Sequence, residues 1–173
     1  MAGAVRKGVG VGNLSGGLVC GGAGVLAGGF WTEETTVYYL DTDRAPVVLG
    51  MRILDEITLR LFREAGRPLL AAVEEGRVIG VGVIRDPRRR IRKRSALKLL
   101  LPSLHKILNA FARHPVRLAR IVAASRRPRA LREPFLTFEA LGVQPAHQGK
   151  GVGRALMRHA QELARGDSGV SGI

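Results

Sequence analysis

Leu49, Ile53, Ile57 and Leu61 recur every four residues with polar groups between them, and Gly66 and Pro68 follow. That spacing predicts an amphipathic helix with its stop signals. Directly after it, the apolar runs Pro68–Glu74 and Arg77–Ile84 flank Glu75-Gly76, which predicts a β-hairpin. Upstream, Thr35–Leu40 is rich in β-branched and aromatic residues and runs into Asp41-Thr42-Asp43, a first strand and turn. Downstream, Leu97, Leu101, Leu104, Leu108 and Phe111 alternate by four and three, so one helical face is apolar, with Lys98 and Lys106 off the stripe. Pro115 breaks that pattern, Val116–Ala124 predicts a second short helix, and Ser125–Pro134 is a loop with four arginines. Phe135–Val143 then reads as a strand, and Gly151–Arg165 as a helix on which Leu156, His159, Ala160 and Leu163 share a face. Gly166–Ile173 resembles a loop entering a further strand.

Strand, helix, hairpin, helical insertion, strand and helix in that order predict an α/β (α+β) domain, a mixed sheet flanked by helices. Residues 1–30 break the texture, because they hold 11 of the 23 glycines and almost no charge. Ordering so many glycines has a high backbone entropy cost, and few large side chains are present to offset it. Residues 1–34 are therefore expected to be a disordered extension, and 35–173 the domain. No internal repeat is visible.

Charge changes the picture locally. The chain of 173 residues carries a net charge of +14, but residues 85–132 hold 16 of the 28 Lys and Arg with Asp86 as the only acid. Everything else is close to neutral, so the charge describes one basic insertion, 85–134, and not a protein built throughout for nucleic acid. Clustered arginines can hold the phosphates of nucleic acid or lipid, or simply solvate a helix face. Cys20 is the only cysteine, which excludes an intrachain disulfide framework and a cysteine zinc site, and a cytoplasmic setting is expected. His105, His114 and His159 lack paired metal-ligand spacing, so no metal is assigned, and His147 is expected to be an exposed loop residue.

The chemistry concentrates between Leu141 and Met157. An apolar strand runs to Val143, Pro145 ends the ladder, and a loop punctuated by Gly149, Gly151 and Gly153 delivers the chain into a helix. A helix N-terminus presents unsatisfied N–H groups and partial positive charge, glycines let an anion approach the backbone, and Lys150 and Arg154 add charge nearby. A phosphate-bearing ligand is the expected guest. Neither the Walker pattern nor a dinucleotide fingerprint fits here, the latter because position 156 is Leu. Gly22-x-Gly24-x-x-Ala27 matches a dinucleotide fingerprint formally but lacks the flanking strand and helix.

Val143-x-Pro145-x-x-Gln148-x-x-Gly151-x-Gly153 resembles the coenzyme-A signature of the GNAT superfamily of N-acetyltransferases. The resemblance implies that Gln148, Gly149, Lys150, Gly151, Val152, Gly153 and Arg154 bind the pyrophosphate of acetyl-CoA, and that Leu141, Gly142 and Val143 pair with its pantetheine arm. It also implies a GNAT-like sheet over 35–173, with the basic helical insertion before the signature strand and with the family's closing strands and helix missing after Ile173. The expected activity is transfer of an acetyl group from acetyl-CoA to an amine acceptor, without a covalent enzyme intermediate.

Amine acetylation needs an unprotonated nitrogen and a route for its proton, and Glu139, on the signature strand, is the candidate base. Two other readings stay open. One is an inactive, truncated coenzyme-A-binding remnant; the other is a basic-helix protein that contacts nucleic acid or an anionic membrane surface through 85–132. The acceptor and the oligomeric state are left open.

Overall fold

The structure, a computed structural model, describes residues 9–30, 45–112, 135–169 and 172–173, with positions 115 and 119 besides. Four antiparallel strands form one sheet in the order β1 (Val9–Asn13), β2 (Leu69–Glu74), β3 (Arg77–Arg85) and β4 (Thr137–Val143). Helices α1 (Val19–Phe30) and α2 (Ala45–Glu64) cover one face, and α5 (Val152–Gly166) covers the other. The insertion contributes α3 (Lys93–Leu100) and α4 (Leu104–Phe111), joined by a tight 3-10 turn over Leu101–Ser103.

The hairpin predicted around Glu75-Gly76 is β2 and β3. Because a strand alternates its side chains, Leu69 and Ala71 face α1 and α2 whereas Leu70 and Ala72 face α5. With both faces covered, the two strands read as near-continuous apolar runs. The predicted helix around Leu49–Leu61 is α2, and it buries Leu59 and Phe62 against the sheet. Full burial of such side chains stabilises the fold by about 1.5–3 kcal/mol each.

One expectation of disorder is corrected: residues 9–30, read as part of a disordered extension over 1–34, supply β1, the edge strand among the described residues, which pairs with β2 from Val9↔Glu74 to Asn13↔Leu70, and the helix α1. Gly22 of α1 serves close packing. A methyl at Gly22 would touch Leu14, Leu59 and Val81 at 3.3–3.4 Å, while Val19, Ala23, Val25 and Leu26 between the glycines are buried in the core. The strand predicted at Thr35–Leu40 lies outside the described residues, as do most of the helix predicted at Val116–Ala124 and all of the arginine-rich loop Ser125–Pro134.

The apolar stripe predicted over the insertion divides: Leu97, Leu101 and Leu108 are 55–58% exposed, whereas Phe111 is buried. The residues that pack on Val47 and Ile57 of α2 are Ile107, Ala110 and Phe111, with Leu99 and Leu100 beside them. Gly50 admits the contact, because a methyl there would lie 2.6 Å from the Ala110 side chain.

Candidate functional site

β4 ends where Val143 pairs with Gly80 of β3. Gln144 then clips the chain down twice: its backbone N–H donates to the Ile79 carbonyl and its side-chain amide to the Val78 carbonyl, each at 2.9 Å. Pro145–His147 makes one 3-10 turn, and the Gln148 side-chain amide donates back to the Val143 carbonyl at 3.2 Å. Gly149 and Gly151 take left-handed φ values of 73° and 82°, conformations that favour glycine. α5 starts immediately afterwards, its first turn closed by Ala155 donating to the Gly151 carbonyl at 3.0 Å. The amides of Gly151 to Arg154 therefore have no partner within the helix.

These residues border a cleft of about 450 Å³ lined by Val143, His147, Gln148, Gly149, Gly151, Val152, Gly153 and Arg154. None of the eight is acidic. A side chain at Gly149 would meet nothing within 4 Å, and one at Gly153 would only touch Val143 and Leu141 at 3.8–3.9 Å. The protein's own packing therefore does not require glycine at 153. The bare backbone there leaves the amides at the helix start open to close approach.

Not every residue singled out in the sequence joins this cleft. Lys150 turns back, its Nζ donating to the Ala146 carbonyl at 2.6 Å. Leu141 is partly exposed on β4, and Gly142 is buried beneath α1, where a methyl would lie 3.2–3.4 Å from Leu26 and the Val25 carbonyl. Among the described residues β4 is the edge strand, flanked on its open side only by a bridge from Phe135 to Gly172.

Glu139 lies outside the cleft lining. The register slips from Val83↔Ala140 to Ile84↔Phe138, so Glu139 is the extra residue of a β-bulge, a device that re-aims side chains. Four residues of extended chain, about 13 Å, separate it from Val143. Its Oε1 lies 3.5 Å from Arg85 Nη1. Nearby, burial pushes the Arg67 guanidinium below its ordinary value, with the charge of Glu139 opposing the shift.

The reading from sequence missed two features. His147, expected to be exposed, is about three-quarters buried, with Nε2 3.0 Å from Glu74 Oε2 and a buried Nδ1 that has no partner among the described residues. Asp86, noticed only as the lone acid of the basic segment, is 1% exposed and holds both Arg88 and Arg89. An isolated acid two residues before an arginine run was the available signal.

A model of the acetyltransferase (GNAT) family matches residues 32–173. Over 30 residues the chain is 60% identical to streptothricin acetyltransferase of Streptomyces lavendulae, a stretch covering 17% of this chain and 16% of that protein. The match thus spans about a sixth of that relative's length. Among solved structures the chain is similar to a histone acetyltransferase HPA2 and related acetyltransferase from Corynebacterium glutamicum. The TM-score is 0.61 at 16% identity, over 94% of this chain and 74% of that one, a likeness of fold.

Proposed function

The chain belongs to the acetyltransferase (GNAT) family, and from that membership we propose that it moves an acetyl group from acetyl-CoA to an amine, with the coenzyme's pyrophosphate seated on the amides of the loop from Gln148 to Arg154. The observation that carries the reading is the left-handed pair Gly149 and Gly151 leading into four helix amides without a partner among the described residues, above a cleft with no acidic residue in its lining. The thioester supplies an activated acyl carbon, which the amine nitrogen attacks as the C–S bond breaks. Lys150 steadies the turn and adds charge, while Arg154 faces the cleft directly. Leu141, Gly142 and Val143 offer the open backbone edge along which the pantetheine arm lies. That arm runs from the loop toward the bulge at Glu139, which takes the proton released by the amine once its contact with Arg85 loosens. The relative named for streptothricin makes that amine the first acceptor to try.

Calorimetric titration with acetyl-CoA, followed by mass spectrometry of an amine panel that includes streptothricin, tests the reading. Micromolar binding and acetylated product are expected; absence of binding refutes the proposal. Replacing Gly153→Val, where the protein's own packing leaves room for a side chain, should abolish binding while the far-ultraviolet circular dichroism stays unchanged, and unaltered affinity would refute the loop assignment. A second reading, coenzyme binding without transfer, is favoured by the position of Glu139 outside the cleft lining and beside Arg85. Binding with no product on any amine would select it.

A further inference from the structure

The face of α3 and α4 that turns away from α2 has no role in acetyl transfer as described above. Leu97 and Leu101, four residues apart, stand on one side of α3 and its following turn at 56% and 55% exposure, and Leu108 continues onto α4 at 58%. Exposed basic residues surround them: Lys93, Arg94, Lys98 and Lys106, with His105 alongside. Residues 87–112 hold eight Lys and Arg and no Asp or Glu. Ile107, Ala110 and Phe111 fix α4 onto α2, so the leucines ride on a packed element whose core contacts lie elsewhere.

We propose that this face rests on an anionic phospholipid bilayer, the leucines inserting between acyl chains and the lysines and arginines meeting the headgroup phosphates. Charge complementarity selects the occupant. A second copy of the chain would bring like charges together, which repel. RNA would leave the leucines without a use, and the segment's one aromatic, Phe111, is 3% exposed and cannot stack on bases. Bulky apolar side chains flanked by cations on a helix are what an interfacial helix presents to a bilayer. No helix among the described residues is long and apolar enough to cross a membrane, so the contact is with its surface.

Co-sedimentation of the full chain with vesicles tests the proposal. Binding is expected to phosphatidylcholine mixed with phosphatidylglycerol, to weaken with salt, and to be at least about tenfold weaker on phosphatidylcholine alone, since each cation near the surface contributes roughly fivefold. The combined change Leu97→Ser, Leu101→Ser and Leu108→Ser should weaken binding to the anionic vesicles by about tenfold or more, because the inserted apolar area is lost. Should that protein fail to fold, Leu97→Gln alone provides the same comparison with a smaller loss. No binding to anionic vesicles at low salt overturns the proposal, as does binding indifferent to the leucine changes. An unstructured RNA that binds more tightly than the vesicles, whatever residues stand at 97, 101 and 108, also overturns it.

Discussion

His147 Nε2 lies 3.0 Å from Glu74 Oε2, so the turn leading into the glycine loop is tied to the end of β2, a strand separated from β4 by β3. Both side chains are about three-quarters buried, at 23% and 26% exposure, which spares the contact much of the screening that weakens surface pairs. A hydrogen bond of this kind contributes about 1 kcal/mol. Glu74→Ala should therefore weaken acetyl-CoA binding roughly fivefold by loosening the loop, whereas Glu74→Gln, which retains an acceptor, should stay near wild type. Equal affinities for all three proteins in a calorimetric titration would show the tie to be idle.

Asp86 makes a comparable fastening at the other end of the sheet. Its buried carboxylate accepts from the Arg88 backbone N–H and guanidinium and from Arg89 Nε, at 2.9–3.1 Å, and Arg88 reaches on to Asp167 just beyond α5. Hydrogen bonds from Arg88 hold Asp86 below the usual carboxylate range, and Arg88 likewise draws Asp167 down to about 2. Both groups bind protons less readily when folded, so their stabilisation is present above about pH 4 and is lost as pH falls below it, for Asp167 through about 2. Asp86→Ala should cost about 2 kcal/mol at neutral pH, the order expected for hydrogen bonds to a charged group. It should also flatten the acid limb of the denaturation midpoint, and an unaltered limb would remove Asp86 from this role.

Where a feature repeats within one turn or one strand, the chain announced it. Alternating glycines at 149, 151 and 153 marked the loop, and the four-residue spacing from Leu49 to Leu61 marked α2. Features that depend on distant partners stayed hidden. The value of the glycines in α1 appears only when Leu59 and Val81 approach Gly22, and the partner of His147 lies 73 residues earlier. The apolar stripe of the insertion did not say which of its members meet α2, because Phe111 is buried against it while Leu97, Leu101 and Leu108 stay exposed.

Gly80 couples the sheet to the loop. A methyl at this position of β3 would lie 2.8 Å from Val152 Cγ1 and 3.1 Å from Leu156 Cδ1, both in the first turns of α5. Gly80→Ala must push back the helix start that carries the cleft amides, and overpacking of this kind costs about 1–3 kcal/mol. At Gly82 a methyl would instead press on Phe138 at 3.1 Å, away from the loop. Gly80→Ala should weaken acetyl-CoA binding several-fold more than Gly82→Ala does. Similar affinities for the two variants in calorimetric titration would show that α5 absorbs the displacement without moving the loop.

Asp55, on α2, gives stability the opposite pH dependence from Asp86. Burial alone raises its carboxyl pKa to about 7. The unfolded chain releases that proton near pH 4, so between about pH 4 and 7 the folded state holds a proton that the unfolded state does not. Stability then falls as pH rises through this window, by up to about 1.4 kcal/mol per pH unit from this one group. Taken with the acid-side loss from Asp86 and Asp167, the combined contribution of these three groups is greatest around pH 4–5. Asp55→Asn keeps the shape and abolishes the charge. It should flatten the decline above pH 4 while leaving the acid limb intact, as read from urea midpoints between about pH 2 and 8. A variant that declined as steeply as the wild type would show that Asp55 ionises without penalty in the folded protein and that the slope arises elsewhere.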